Sequence, residues 1–331
     1  MSARVLFLVL FLVLLLFRHL SFAQAPQTSY REIDLAYQNP DAGNVDLAGT
    51  LTEPDSSGPF PAVLLIPGAG KMDRDETTAG QKPFRVLADY LTRRGIAVLR
   101  ADKRGVHASM GKFEEVTTKG FANDAEAGVR YLQSRSDIDP KQIGLIGHGE
   151  GAIEAVMVAN DIPSIAFVVM LEGTGVPGEE VLLEQTERAE KAAGNMSKDQ
   201  IKADRRAGKM LYDMAREGKN VHEMRLALVD YESQLRIEND EDISLNHWRT
   251  RLDGLQSPWL RFFLTYDPAP PLTELRCPVL ALNGAKDMQV IADQNAPAIS
   301  RACARGQQRC ERRSPAGTEL STATGSYRAR L

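Results

Sequence analysis

Five residues, Gly147-His148-Gly149-Glu150-Gly151, constrain this chain more than any other stretch. An apolar run, Ile143-Gly144-Leu145-Ile146, leads into them. A small-residue helical pattern, Gly151-Ala152-Ile153-Glu154-Ala155-Val156, leads out. Strand, sharp turn and helix in that order is the setting of a nucleophile elbow, G-x-S-x-G, which displays its central residue at the crest of a sheet. Glycine stands at that centre. It has no atom able to attack a carbonyl, so covalent acyl transfer through Gly149 is excluded. The change is easy for the backbone, because such a turn strains other residue types and glycine tolerates it.

The flanking pattern extends the argument along the chain. Residues 30–37 and 45–52 alternate as two antiparallel strands. Pro61-Ala62-Val63-Leu64-Leu65-Ile66 reads as a fully buried strand ending in Pro67-Gly68-Ala69-Gly70. A helix follows at 83–94, with Pro83 in its first turn and Gly95 as its stop. Ile96-Ala97-Val98-Leu99 is the next strand, 121–134 the next helix, and Asp137-Ile138-Asp139-Pro140 a turn before the strand into the elbow. Ile165–Leu171 and Pro278–Asn283 are two more strands. Strands alternating with helices imply a mostly parallel, doubly wound sheet covered on both faces. Between 178 and 264 the alternation stops. The segment is charged and helix-forming, with Met196, Met210, Met214 and Met224 as core filler, and reads as an inserted helical cap. The expected organisation is therefore an α/β-hydrolase fold: core at 24–177 and 265–299, cap at 178–264.

The first 23 residues differ in kind. Arg4 precedes an unbroken apolar run, Val5 to Phe17, which Arg18 and His19 end. Small residues follow at Ser21, Ala23 and Ala25. A basic start, a short apolar core and an A-x-A-like site read as a secretory signal peptide cleaved after Ala23, with an uncleaved anchor as the alternative. The chain is then exported, periplasmic or secreted, without a stable membrane span once cleaved. The net charge of −4 offers nothing to nucleic acid. Three cysteines, Cys277, Cys303 and Cys310, leave at least one unpaired within the chain, and Cys277 reads as a buried structural thiol.

Several segments together carry a resemblance: Pro67-Gly68-Ala69-Gly70, Asp73-Arg74-Asp75-Glu76, Lys82-Pro83-Phe84, Leu87-Ala88-Asp89-Tyr90-Leu91, Asp102-Lys103-Arg104-Gly105-Val106, Ile143 to His148, and Leu282 to Val290. From about residue 30 to 299 the chain resembles the exported bacterial carboxylesterases of the α/β-hydrolase superfamily, the EstD-type esterases, relatives of the serine aminopeptidases. The resemblance implies a serine hydrolase of short-chain carboxylic esters, with Ser, Asp and His in that chain order and a small-molecule ester or acyl ligand. It implies Asp287 as the acid, and the backbone N–H groups of Ala69 and Glu150 as oxyanion donors. Asp102 and Arg104 match a turn beside the site, as an ion pair or loop brace.

Two departures stand against activity. Gly149 replaces the serine. None of the five histidines (His19, His107, His148, His222, His247) follows Asp287, where the base belongs. His148 is read as packing, and His222 and His247 as surface or packing residues of the cap. His107, on a loop near the mouth of the site, is the remaining candidate base. No cofactor motif and no Cys–His metal spacing is present, so no cofactor and no metal is expected. The readings are an impaired or inactive esterase, a non-catalytic acyl-binding relative, or the product of a degraded gene.

Residues 300–331 read as aberrant. Arg301 to Arg313 has neither helical nor strand periodicity. A frame moved forward by one base can be re-read over 301–320 as a helix end, a turn, a valine-rich strand and a loop. A frameshift near Ser300 is therefore the expectation, with a disordered tail beyond it.

Overall fold

The computed structural model describes residues 29–239, 245–306 and 310–313. Eight strands form one sheet in the order β1-β2-β4-β3-β5-β6-β7-β8: β1 Tyr30–Asn39, β2 Val45–Pro54, β3 Phe60–Ile66, β4 Ala97–Ala101, β5 Ile138–His148, β6 Val168–Leu171, β7 Val279–Leu282 and β8 Cys310–Arg313. β1 and β2 pair antiparallel, and β2 joins β4 antiparallel. Every other pairing is parallel. This is the α/β-hydrolase arrangement. The signal-peptide expectation for residues 1–23 lies outside the described residues. Among those described, no helix is long and apolar enough to cross a membrane.

The central strands are apolar runs because both faces are covered. Along β3, Leu64 points to one face, while Val63 and Leu65 point to the other. The first face packs on α2 (Thr118–Ser134) and α3 (Glu150–Asp161) through Ala122, Val129, Ala152 and Val156. The second packs on α1 (Pro83–Thr92) through Phe84 and Ala88. Pro83 opens α1, where its missing N–H costs nothing. The expected turn at 137–140 is a correction. Residues 138–142 belong to β5, and the register shifts there between Phe60↔Ile138 and Ala62↔Ile143. The extra residues are absorbed as an irregularity of the ladder.

Between β6 and β7 come α4 (Gly178–Ala193), α5 (Lys198–Arg216), α6 (Val221–Asn239), α7 (Asn246–Arg251) and α8 (Pro258–Thr265). They enclose a core of their own: Leu183, Ala207, Leu211, Met224, Leu228, Trp248 and Leu252. Met210 and Met214 pack at its edge. A capping box starts α5, in which Ser197 and Gln200 each bond the other's backbone N–H. After the short helix α9 (Ala269–Glu274) and β7 comes α10 (Ala292–Arg305).

The tail needs a second correction. Residues 301–305 continue α10, burying Ala302 and Cys303. Residues 310–313 form β8, in parallel register with β7 from Val279↔Cys310 to Leu282↔Arg313. Backbone pairing does not require an apolar pattern, which is why periodicity missed this edge strand. Residues 314–331 lie outside the described residues. All three cysteines are buried and unbridged.

Candidate active site

β5 ends at His148, Gly149 turns the chain, and α3 begins at Glu150. Gly149 has φ +53° and ψ −114°, the left-handed side of backbone space. Its N–H donates to Leu171 O at 2.8 Å, which ties the turn to the end of β6. The flanking glycines are needed for close approach. A Cβ on Gly147 would lie 2.0 Å from Gly151 O, and one on Gly151 would lie 2.1 Å from Ile66 O. At Gly149 the nearest atom to such a Cβ is Gly68 Cα at 3.9 Å, so a side chain has room.

Above the turn lies a cavity of about 500 Å³. Gly149, Ala69 and Glu150 line it together. Met72, Val181, Leu182, Trp259 and Phe263 supply apolar wall, part of it from the cap. The positive end of the α3 dipole faces the same space.

The ionisable groups at this cavity are acids and one histidine, and Thr78, Thr174, Gln185 and Gln289 add neutral polar groups. Asp287 follows β7, and its Oδ1 accepts from the N–H groups of Gln289 (2.6 Å) and Val290 (3.2 Å). Its side-chain neighbour is another acid. Glu172, at the end of β6 with φ +51°, accepts from Gly284 N at 2.7 Å and faces Asp287. Burial pushes the Glu172 carboxyl up; the Gly284 bond opposes this and Asp287 adds to it. His148 is half-exposed and not packing. Its Nδ1 meets Glu76 Oε1 at 2.7 Å, and that oxygen also accepts from Gly68 N at 2.7 Å. The Glu76 bond raises His148 above the usual imidazole range; burial opposes it, and the charges of Glu76, Glu172 and Asp287 reinforce it. Glu76 and Glu172 were not singled out from the sequence. Glu172 follows an apolar strand, at the end of the sheet where ligands bind, and that position was the available signal.

The Glu150 side chain points away from chemistry, into a buried anchor. It accepts from Lys103 Nζ (2.9 Å), Thr118 Oγ1 (2.7 Å) and Trp259 Nε1 (2.5 Å). Lys103 also contacts Glu154 at 3.2 Å. Burial pulls the Lys103 ammonium down, but Glu154 and Glu150 outweigh it and hold it up. Burial pushes Glu154 up to about 8, against the pull of Lys103. Trp259 belongs to α8, so this anchor joins cap to elbow.

His107 is not brought to the cavity. It has φ +49°, a side chain 68% exposed, and Nδ1 3.2 Å from Asp102 Oδ2. It lines a separate surface depression with Asp34, Arg74 and Asp102. Asp102 and Arg104 do not pair with each other. Arg74 Nη2 donates to Asp102 at 2.7 Å, and Arg104 Nε donates to Asp124 at 2.9 Å. Burial opposes ionisation of Asp102, but the Arg74 bonds outweigh it and hold the carboxyl below its usual range. Both are loop braces, each with its own partner.

The comparisons fit this geometry. The chain is 34% identical over 170 residues to esterase EstD of Thermotoga maritima, covering 50% of this chain and 40% of that one. It is 24% identical over 140 residues to a putative carboxymethylenebutenolidase of Synechocystis, covering 40% of this chain and 56% of that one. The chain thus spans about half or less of these relatives' lengths. Among solved structures, an esterase of Pyrococcus furiosus superposes with a TM-score of 0.54 at 17% identity, over 86% of this chain and 81% of that one. The α/β-hydrolase GrgF from Penicillium gives 0.51 at 16%, over 87% and 90%. The profile of the X-Pro dipeptidyl-peptidase (S15) family matches residues 42–306. That match spans most of the chain, and the chain belongs to the X-Pro dipeptidyl-peptidase (S15) family.

Proposed function

We propose that this chain belongs to the carboxylic-ester-hydrolase side of its family, has lost covalent acyl transfer, and holds a short neutral acyl ester without turning it over. The observation that carries the reading is the bare turn at Gly149 beneath an open cavity. The site's volume, near 500 Å³, suits a small organic ligand. The backbone N–H groups of Ala69 and Glu150 supply a place for a carbonyl oxygen without needing any side chain. Three carboxylates around His148 disfavour an acid product and leave an uncharged ester as the better fit. Asp287 keeps the position of the acid but has Glu172 beside it in place of an imidazole.

The test is thermal shift with short-chain esters, while the ester concentration is followed by chromatography. A raised melting temperature with ester loss no faster than in buffer supports the reading. Enzymatic consumption of the ester, or no shift with any ester, contradicts it. We also propose export, on the character of residues 1–23. Expression in a bacterial host followed by mass analysis should give a periplasmic species beginning at Gln24, and a cytoplasmic species retaining Met1 would contradict that.

A further inference from the structure

The cap holds a second cluster of ionisable groups, none of which lines the elbow cavity. Glu190 lies on α4, Asp204 on α5 and His247 on α7, and one donor atom from each lies within 4.8 Å of the other two. Asp204 is fully buried. Its Oδ1 accepts from Trp248 Nε1 at 2.9 Å and lies 2.8 Å from His247 Nε2. Its Oδ2 is buried and has no hydrogen-bond partner. The neighbouring side chain is Glu190, a second acceptor. Two facing carboxylates cannot bond to each other unless a proton or a cation lies between them.

We propose that Glu190, Asp204 and His247 form a divalent-cation site of the zinc class that ties α4, α5 and α7 together. The donor chemistry selects the class. An imidazole with two carboxylates suits zinc or manganese, whereas magnesium and calcium prefer oxygen alone. Zinc bonds to such donors are about 2.0–2.2 Å, so taking one ion requires the wider donor pairs to draw in and His247 Nε2, now 2.8 Å from Asp204 Oδ1, to turn from that oxygen toward the ion. The orphaned Asp204 oxygen gains a partner when a cation binds. The His247 side chain is 35% exposed, while its Nε2 is buried at the cluster. Trp248, bonded to Asp204, fixes the orientation of that carboxylate from behind. The three ligands sit on separate helices, so no local sequence spacing announces them.

The full chain, stripped with chelator, is titrated with Zn²⁺ by calorimetry, and its melting temperature is followed with and without the ion. One equivalent should bind and raise the melting temperature, and Mg²⁺ should not replace it. Glu190→Gln and His247→Gln should each weaken binding by about tenfold or more. Asp204→Asn keeps an acceptor for Trp248 but could unfold the cap, so the two partly exposed positions carry the decision. No Zn²⁺ binding by the native chain overturns the site. Unchanged binding in both Glu190→Gln and His247→Gln also overturns it, because the ion would then lie elsewhere.

Discussion

Replacing Gly149 by serine restores the missing hydroxyl and at the same time measures the turn. The added Cβ meets nothing closer than Gly68 Cα at 3.9 Å, so steric overlap contributes little and the backbone term is isolated. Holding a non-glycine residue at φ +53° and ψ −114° costs about 1–3 kcal/mol. Removing glycine's freedom from the unfolded chain returns about 0.4–1 kcal/mol. The balance is a destabilisation of about 0–2.6 kcal/mol, with about 1.3 kcal/mol at mid-range. A domain of this size loses about 2–4 °C per kcal/mol, so the melting temperature should fall by about 3–5 °C at mid-range. Scanning calorimetry of Gly149→Ser beside Gly149→Ala provides the assay. The alanine carries the same backbone strain without the hydroxyl, so the two should fall together. A melting temperature that holds or rises in both would refute a strained turn. Gly149→Ser should also show no robust esterase turnover, since Glu172 and not an imidazole lies against Asp287.

Other positions make independent predictions. Gly147→Ala drives a Cβ into Gly151 O at 2.0 Å, a backbone atom that cannot step aside, and should cost about 3 kcal/mol or more in urea denaturation; a native-like midpoint would show that helix and strand are not held so closely. Trp259→Phe keeps the ring packed on Phe263 but removes one donor from the buried Glu150 carboxylate, a loss of about 1–3 kcal/mol; an unchanged midpoint would mean the bond contributes nothing to stability. Glu172 has a raised folded-state value, so the native state holds its proton more tightly than the unfolded chain does. Its contribution therefore falls as pH rises from the ordinary carboxylate range through that raised value. Glu172→Gln should accordingly gain stability over the native chain at alkaline pH and little at acid pH, and a gain independent of pH would contradict the pairing with Asp287.

The elbow was legible because its constraints are local. Gly147 and Gly151 are glycine where main chains nearly touch, and apolar Ile143 to Ile146 must be covered on both faces. Asp287 was named through the family resemblance alone; that it lines the cavity came from the fold. Glu76 and Glu172 were not, because an acid beside a turn looks solvated until the fold brings Gly68 N and Gly284 N to it. The orientation of His148 was hidden for the same reason, because its partner Glu76 lies far away in the chain, whereas His107 turns to the nearby Asp102. The strand at 310–313 was hidden because its backbone pairs with β7 while its residues, Cys310-Glu311-Arg312-Arg313, carry no apolar alternation. A buried strand of a sheet with both faces covered is ordinarily rich in valine, isoleucine and leucine. The coding DNA around residues 290–331 would test the frameshift, and codons incompatible with a valine-rich alternate reading would end that idea.

Intact-mass spectrometry after incubation with a fluorophosphonate probe tests the central claim most directly. Such a probe bonds only to an activated nucleophile. The purified chain should keep its native mass, because the turn at Gly149 presents no oxygen or sulfur to the cavity. A stoichiometric adduct on any residue lining that cavity would contradict the account.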